Sequence, residues 1–246
     1  VNKENHIEML NSPVYALITG ATRGIGKAIA IRLADAGLNL LLTARDENDL
    51  FQLKEELMVQ YPEIQVKYLA IDLSKVGEDN RLAQWALAFS PEILINNAAI
   101  FHPVSFLDQD DAELAAQWQL NFMSAQTLSK KIGNDMKMRK QGHILMIGST
   151  ASRESVQAAT YTVTKLALHG LTNMLRGELR NHQVRVTELI PGSTWTSSWE
   201  GTSLPESAFM QASDIADAVL YAIQAPSSVM VEEIMIRPPK GNVSSF

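Results

Sequence analysis

Three groups of residues in this chain have types and spacings that chemistry can use. The first is Thr19-Gly20-Ala21-Thr22-Arg23-Gly24-Ile25-Gly26. The apolar run Val14 to Ile18 precedes it, and Lys27 to Ala34 follows with apolar positions at helical spacing. A strand passing through glycines into a helix gathers unpaired backbone N–H groups and the favourable end of a helix dipole, which suits a pyrophosphate. The second group is Tyr161 and Lys165, at i and i+4, which a helix places on one face. A phenol ordinarily titrates near ~10, and an ammonium within ~4–6 Å favours its ionised form. The third is Ser149, which follows the apolar run Ile144 to Ile147 and stands twelve residues before Tyr161.

Other chemistries fail on the residues. Ala28 stands where a Walker-type loop needs the Ser or Thr that holds magnesium. A hydrolase elbow around Ser149 would need glycine at the positions of Ile147 and Ala151. The 246 residues include no cysteine, which removes disulfides, thiolate zinc sites and cysteine nucleophiles. His6, His102, His143, His169 and His182 do not pair at ligand spacing, so no metal is expected, and His169 reads as a structural histidine. A net charge of −6 leaves no basic footprint for nucleic acid. No apolar run approaches the ~20 residues that span a bilayer, and no basic-apolar-small segment opens the chain. The expectation is a cytoplasmic protein with neither membrane nor nucleic acid as partner.

The elements that must position these groups follow from the patterning. Strands are expected at 14–19, 38–43, 66–71, 92–96, 143–148, 184–190 and 232–236, and helices at 24–36, 47–59, 79–89, 111–134, 159–181 and 213–224. Apolar strands alternating with helices imply an α/β, doubly wound, seven-stranded parallel sheet covered on both faces, a single Rossmann-type domain over 13–246. Residues 1–12 read as a flexible tail. Ligands of such a sheet bind at the carboxyl ends of the strands. At one of those ends stands Arg45, placed to meet the ribose 2′-phosphate of NADP, with Arg23 approaching from the glycine loop. Asp46 reads as the cap of the next helix, not as a ribose ligand. At other ends lie Asp72-Leu73 and Asn96-Asn97-Ala98-Ala99, with Phe101 and His102 behind, and Pro191-Gly192-Ser193-Thr194-Trp195-Thr196.

Taken in order from about residue 13 to 237, these motifs resemble the short-chain dehydrogenase/reductase family. Two departures stand out: Ala99 replaces the usual glycine, and the gap from Ser149 to Tyr161 is one residue short, to be absorbed in 150–160. The resemblance implies a nicotinamide-dependent oxidoreductase acting on a carbonyl or secondary alcohol. Tyr161 would be the acid/base, Lys165 its tuner and a ribose ligand, and Ser149 the holder of the carbonyl. Asn121 would loosen its helix and hold a water in a proton relay. Ser152 and Ser155 are weaker alternatives to Ser149. The cofactor would lie against Gly20, Thr22, Arg23, Gly24, Ile25 and Gly26, then Arg45, Asp72 and Leu73, then Asn97, Ala98 and Ala99, then Pro191, Gly192, Thr194 and Thr196. NADP(H) is expected over NAD(H). The loop 193–212, short and polar around Trp199, Phe209 and Met210, would cover the substrate, with Phe101 and His102 as a wall.

Within the family, 3-oxoacyl-carrier reduction and 3-hydroxy acid oxidation stay open. Outside it stands a dinucleotide-binding regulator without turnover. A homodimer or homotetramer is expected through helices 111–134 and 159–181. The second of these carries Leu166, Leu168, Leu171, Met174 and Leu175, a wider apolar surface than one buried face needs.

Overall fold

The computed structural model describes residues 14–154, 158–199 and 201–243. The expected tail at 1–12 and Ser155, the alternative to Ser149 as carbonyl holder, lie outside them. Seven strands form one sheet: β1 (Tyr15–Thr19), β2 (Asn39–Ala44), β3 (Val66–Ala70), β4 (Ile93–Asn96), β5 (Gly142–Ile147), β6 (Val184–Pro191) and β7 (Glu233–Ile236). They run β3-β2-β1-β4-β5-β6-β7, and every pairing is parallel. The order reverses between β1 and β4, where a doubly wound sheet opens a crevice at its carboxyl edge.

Successive residues of β1 serve opposite faces, as a pleated strand requires. Ala16 and Ile18 join a core with α1 (Gly24–Asp35), α2 (Glu47–Gln60) and α7 (Ala212–Gln224). Tyr15 and Leu17 join another with α3 (Glu78–Leu87), α5 (Ser124–Arg139) and α6 (Ala159–Leu179). Both faces of the sheet are therefore filled, which explains the near-continuous apolar strands. No helix among the described residues is long and apolar enough to cross a membrane.

One helix departs from expectation. The segment 111–134 is not a single α-helix. It consists of α4 (Asp111–Trp118), a π turn at Gln119–Met123, and α5, which runs on to Arg139. Asp110 caps α4, accepting from Ala112 N at 2.9 Å and Glu113 N at 3.2 Å. Lys140 ends α5 in the left-handed region at φ 55°. The π turn centres on Asn121, and such single-turn bulges often sit at functional sites.

Candidate active site

The glycine loop is built by contact with its own helix. Gly20 and Gly24 have φ of +66° and +52°, which a side chain would strain. At Gly26 a Cβ would stand 2.1 Å from the Gly20 carbonyl oxygen and 2.6 Å from Asn97 Nδ2, so α1 can dock there only without a side chain. Thr19 stitches the crevice. Its hydroxyl donates to Ile95 O at 3.3 Å and accepts from Asn97 N at 3.0 Å and Ala98 N at 2.9 Å. Asn97 Nδ2 returns a bond to Thr19 O at 2.8 Å, while Asn96 Nδ2 reaches Ser129 at 3.0 Å. Ala99 does not adopt a positive φ, so alanine fits there without strain.

A cavity of about 970 Å³ opens at the carboxyl ends of the strands. Every residue assigned to the cofactor from the sequence borders it, from Gly20 through Arg45, Asp72, Ala98 and Lys165 to Thr196. Ser149 borders it too; Asn121 and His102 do not. Arg23 and Arg45 stand exposed at the rim. Asp46 caps α2, accepting from Asn48 N at 2.8 Å and Asp49 N at 3.1 Å, as its sequence position suggested. Burial raises the Asp72 pKa, but bonds from the Ser74 hydroxyl and N–H, with Lys75 and Arg45 nearby, outweigh it and hold the carboxyl below its usual range.

The cavity also holds Ser149, Tyr161 and Lys165. Ser149 follows β5, and its hydroxyl accepts from Ala151 N at 3.1 Å and lies close enough to the Tyr161 phenol to favour its ionised form. Ser152, the alternative, turns away to donate to Ser149 O at 2.7 Å. Lys165 lies one turn along α6 from Tyr161, 3% exposed, with Nζ donating to Ile147 O at 2.7 Å and 5.5 Å from the phenol ring centre. Burial lowers the lysine to about 8, against the opposing charge of Glu188. Burial also raises the Tyr161 phenol, with Ser149 opposing. The expected lowering of the phenol by the ammonium does not prevail here. In this state Tyr161 keeps its proton, the form that an acid needs.

Asn121 works one layer back. It is 2% exposed, accepts from Ile100 N at 2.8 Å, and donates to Ile100 O at 2.9 Å and Thr164 Oγ1 at 3.3 Å. It thereby fixes the backbone next to Phe101, whose ring meets Tyr161 edge-on at 5.1 Å and 90°. Phe101 also faces Trp199 at 6.4 Å, and Trp199 and Trp195 pack on Phe209 at 4.7 and 5.2 Å. The loop 193–212 is therefore closed by its own aromatic side chains. Within this loop Phe209 and Met210 are buried, and Thr194 bridges to Met210.

Comparison with known proteins bears on this arrangement. The sequence pattern of the short-chain dehydrogenase family matches residues 14–206. The chain belongs to that family. An uncharacterized oxidoreductase of Staphylococcus epidermidis is 30% identical, over 91% of this chain and 96% of its own. A very-long-chain 3-oxoacyl-CoA reductase of Podospora anserina is 35% identical, over 72% of this chain and 53% of its own. A metagenomic short-chain oxidoreductase solved with NADP superposes with a TM-score of 0.79 at 31% identity, covering 92% of this chain and 98% of its own. This short-chain dehydrogenase is thus an oxidoreductase on the same Rossmann-type sheet.

Three further residues shape the site of this dehydrogenase and were missed in its sequence. Thr19 carries the stitching described above, and its place beside Gly20 was a usable signal. Asn242 accepts from Ser193 N at 3.1 Å and donates to Thr150 Oγ1 at 3.1 Å, tying the loop after β6 to the turn after Ser149. It lies beyond the last strand in a polar stretch that carries no motif. Glu188 is fully buried in β6, and a lone carboxyl inside an apolar strand was the signal.

Proposed function

We propose that this short-chain dehydrogenase reduces an apolar carbonyl compound with NADPH, or runs the same reaction in reverse. The observation that carries the reading is the meeting of Ser149, Tyr161 and Lys165 at one end of a cavity whose other end is the glycine loop and two arginines. NADPH bound along the cavity supplies the hydride. Tyr161 gives its proton to the carbonyl oxygen as charge develops there. The Ser149 hydroxyl donates to the same oxygen and steadies it. Lys165 holds the cofactor ribose and, as a cation, makes the phenol a stronger acid. Arg45 and Arg23 take the 2′-phosphate, because a guanidinium binds phosphate with charge-assisted, often bidentate bonds. Phe101 and Trp199 offer an apolar wall, which favours a substrate with a bulky apolar group beside its carbonyl. The 3-oxoacyl reductase name of one relative keeps acyl thioesters among the candidates.

Tyr161→Phe tests the reading. It should leave NADPH affinity nearly intact and remove most reduction, measured by nicotinamide absorbance with a panel of ketones and 3-oxo esters. Wild-type turnover by this variant would refute Tyr161 as the acid, and no turnover of any carbonyl by the parent would favour a regulator that only binds the dinucleotide.

The reading includes self-association. Leu168, Leu171 and Leu175 of α6 are buried in the core, while Val163, Leu166 and Met174 are half exposed. Gly170 and Gly177 share that outer face and have nothing near their missing side chains. Apolar and small residues at 163, 166, 170, 174 and 177 form one stripe suited to a second copy of the helix. A homodimer or homotetramer in a reducing cytoplasm fits this surface and the absence of cysteine.

A further inference from the structure

Tyr161, Lys165, His169 and Asn173 recur every four residues, so one stripe of α6 carries them all. Beneath this stripe runs β6 with Glu188, which is 0% exposed. One carboxylate oxygen, Oε2, lies 2.6 Å from His169 Nδ1. The other, Oε1, has no hydrogen-bond partner among the described residues. It points at Gly148, where a Cβ would come within 2.5 Å of it. Gly148 sits between Ile147, whose carbonyl accepts from Lys165 Nζ, and Ser149.

A buried carboxylate with one unsatisfied oxygen is costly, and it persists where a cation faces it. The charged groups around it can be named. From α6 come Lys165 and His169, with Arg176 held by Val186 O and Glu232 O. From β7 comes Glu233, with Glu232 just before it, and from the turn after β5 comes Arg153, bonded to Glu233 at 2.8 Å. His169 Nδ1 faces Glu188 Oε2 and also lies 3.2 Å from the Arg153 guanidinium, while Nε2 meets Asn173 Nδ2 and Arg153, each at 3.0 Å. The ring thus orients one carboxylate oxygen and leaves the other unbonded. His169, Glu188 and Glu233 also have the types and proximity of a metal site, but the Arg153 guanidinium already bonds both His169 and Glu233. Arg176 is spent on backbone carbonyls, so among the described residues the buried cation left to face Glu188 is Lys165.

We propose that Glu188 is a positioning residue for Lys165: its carboxylate, aimed across Gly148 and held by His169, keeps the ammonium charged and in place beside Tyr161. The proposal rests on the reading of Tyr161 and Lys165 given above. The burial that drives the lysine toward neutrality is opposed by the charge of Glu188. Without that charge, Lys165 would lose its proton at lower pH, and both its hold on the phenol and its hold on the cofactor would fail earlier as pH rises.

The experiment compares the parent with Glu188→Gln, Glu188→Ser and Glu188→Asp across pH. Two quantities are read: kcat/KM for carbonyl reduction, and the NADPH dissociation constant from nicotinamide fluorescence. Gln and Ser should each move the alkaline limb of kcat/KM down by about one pH unit. The pH above which NADPH affinity falls should move with it. Asp, which keeps the charge, should stay near the parent. Ser, small enough to sit beside Gly148, serves if the Gln protein is not recovered folded. Gln or Ser profiles that superimpose on the parent would overturn the proposal. So would a lowered melting temperature with an unmoved profile, since that is packing alone. If the parent reduces no carbonyl, the functional reading fails, and the binding titration still judges Glu188.

Discussion

Replacing Asn121 with Leu would test how the π turn serves the site. The side chains are close in size, so the change removes hydrogen bonds with little change in volume. Ile100 N–H loses its 2.8 Å acceptor. Ile100 O keeps a donor, Gln117 Nε2 at 3.0 Å, and Thr164 Oγ1 keeps its own bond to Tyr161 O at 2.8 Å. One half-buried N–H is therefore orphaned, at about 1–3 kcal/mol, and two donor bonds are lost at about 0.5–1.5 kcal/mol each. Burial of the leucine offsets part of this. The net loss should be about 2–4 kcal/mol, or roughly 5–15 °C in Tm for a chain of this size. Urea unfolding and calorimetry measure it. NADPH affinity should change little, because Asn121 does not border the cavity. Turnover should fall more than about tenfold, because Ile100 carries Phe101, which abuts Tyr161. A variant within about 0.5 kcal/mol of the parent would refute the argument, as would full turnover despite the lost stability.

Three other perturbations are decisive. Arg45→Asp should weaken NADPH by more than about tenfold and leave NADH unchanged or tighter, since it removes a phosphate contact and adds repulsion; titration of both cofactors decides, and parent affinity for NADPH would exclude Arg45. His143 is buried with Nε2 2.8 Å from Thr187 Oγ1, and burial lowers it to about 3 from 6.5. The unfolded chain therefore takes up a proton that the folded chain refuses, and stability should drop as pH falls from 6.5 to about 3, by at most about 1.4 kcal/mol per pH unit. His143→Gln should flatten that slope in acid titrations, and an unchanged slope would show that the carboxylates carry it. Leu166→Glu on the exposed stripe of α6 should halve the mass seen by light scattering; an unchanged oligomer would place the interface elsewhere.

All seven strands were legible to within a residue or two. Strands β1, β2, β4, β5 and β6 are buried on both faces and so read as apolar runs. The edge strands β3 and β7 are more exposed and were found as short apolar-rich segments between helices. The glycine loop was legible for a different reason: a Cβ on α1 at position 26 would stand 2.1 Å from the Gly20 carbonyl oxygen, and that demand is written as Gly26. The π turn was not. Apolar spacing continues across Gln119–Met123, and one extra residue in a turn leaves the periodicity too little disturbed to read. The fate of Asp46 was readable from local chemistry, since a cap bonds residues two and three further on. Glu188 and Asn242 depend on partners on other elements, His169 on α6 and Ser193 in the loop after β6, and only the assembled fold brings these together.

The rim arginines have a consequence for the medium in which the protein works. Both guanidinium groups stand in solvent, whereas the glycine loop lines the cavity itself. Exposed charges lose most of their reach beyond ~8 Å at physiological ionic strength, and buried contacts much less. On the proposed reading, added salt would erode the extra affinity for the 2′-phosphate and spare the affinity shared by both dinucleotides. Cofactor preference would then not be a constant of the protein. It would be steep in dilute buffer and shallower at high salt, and preferences measured at different ionic strengths would disagree without any change in the protein.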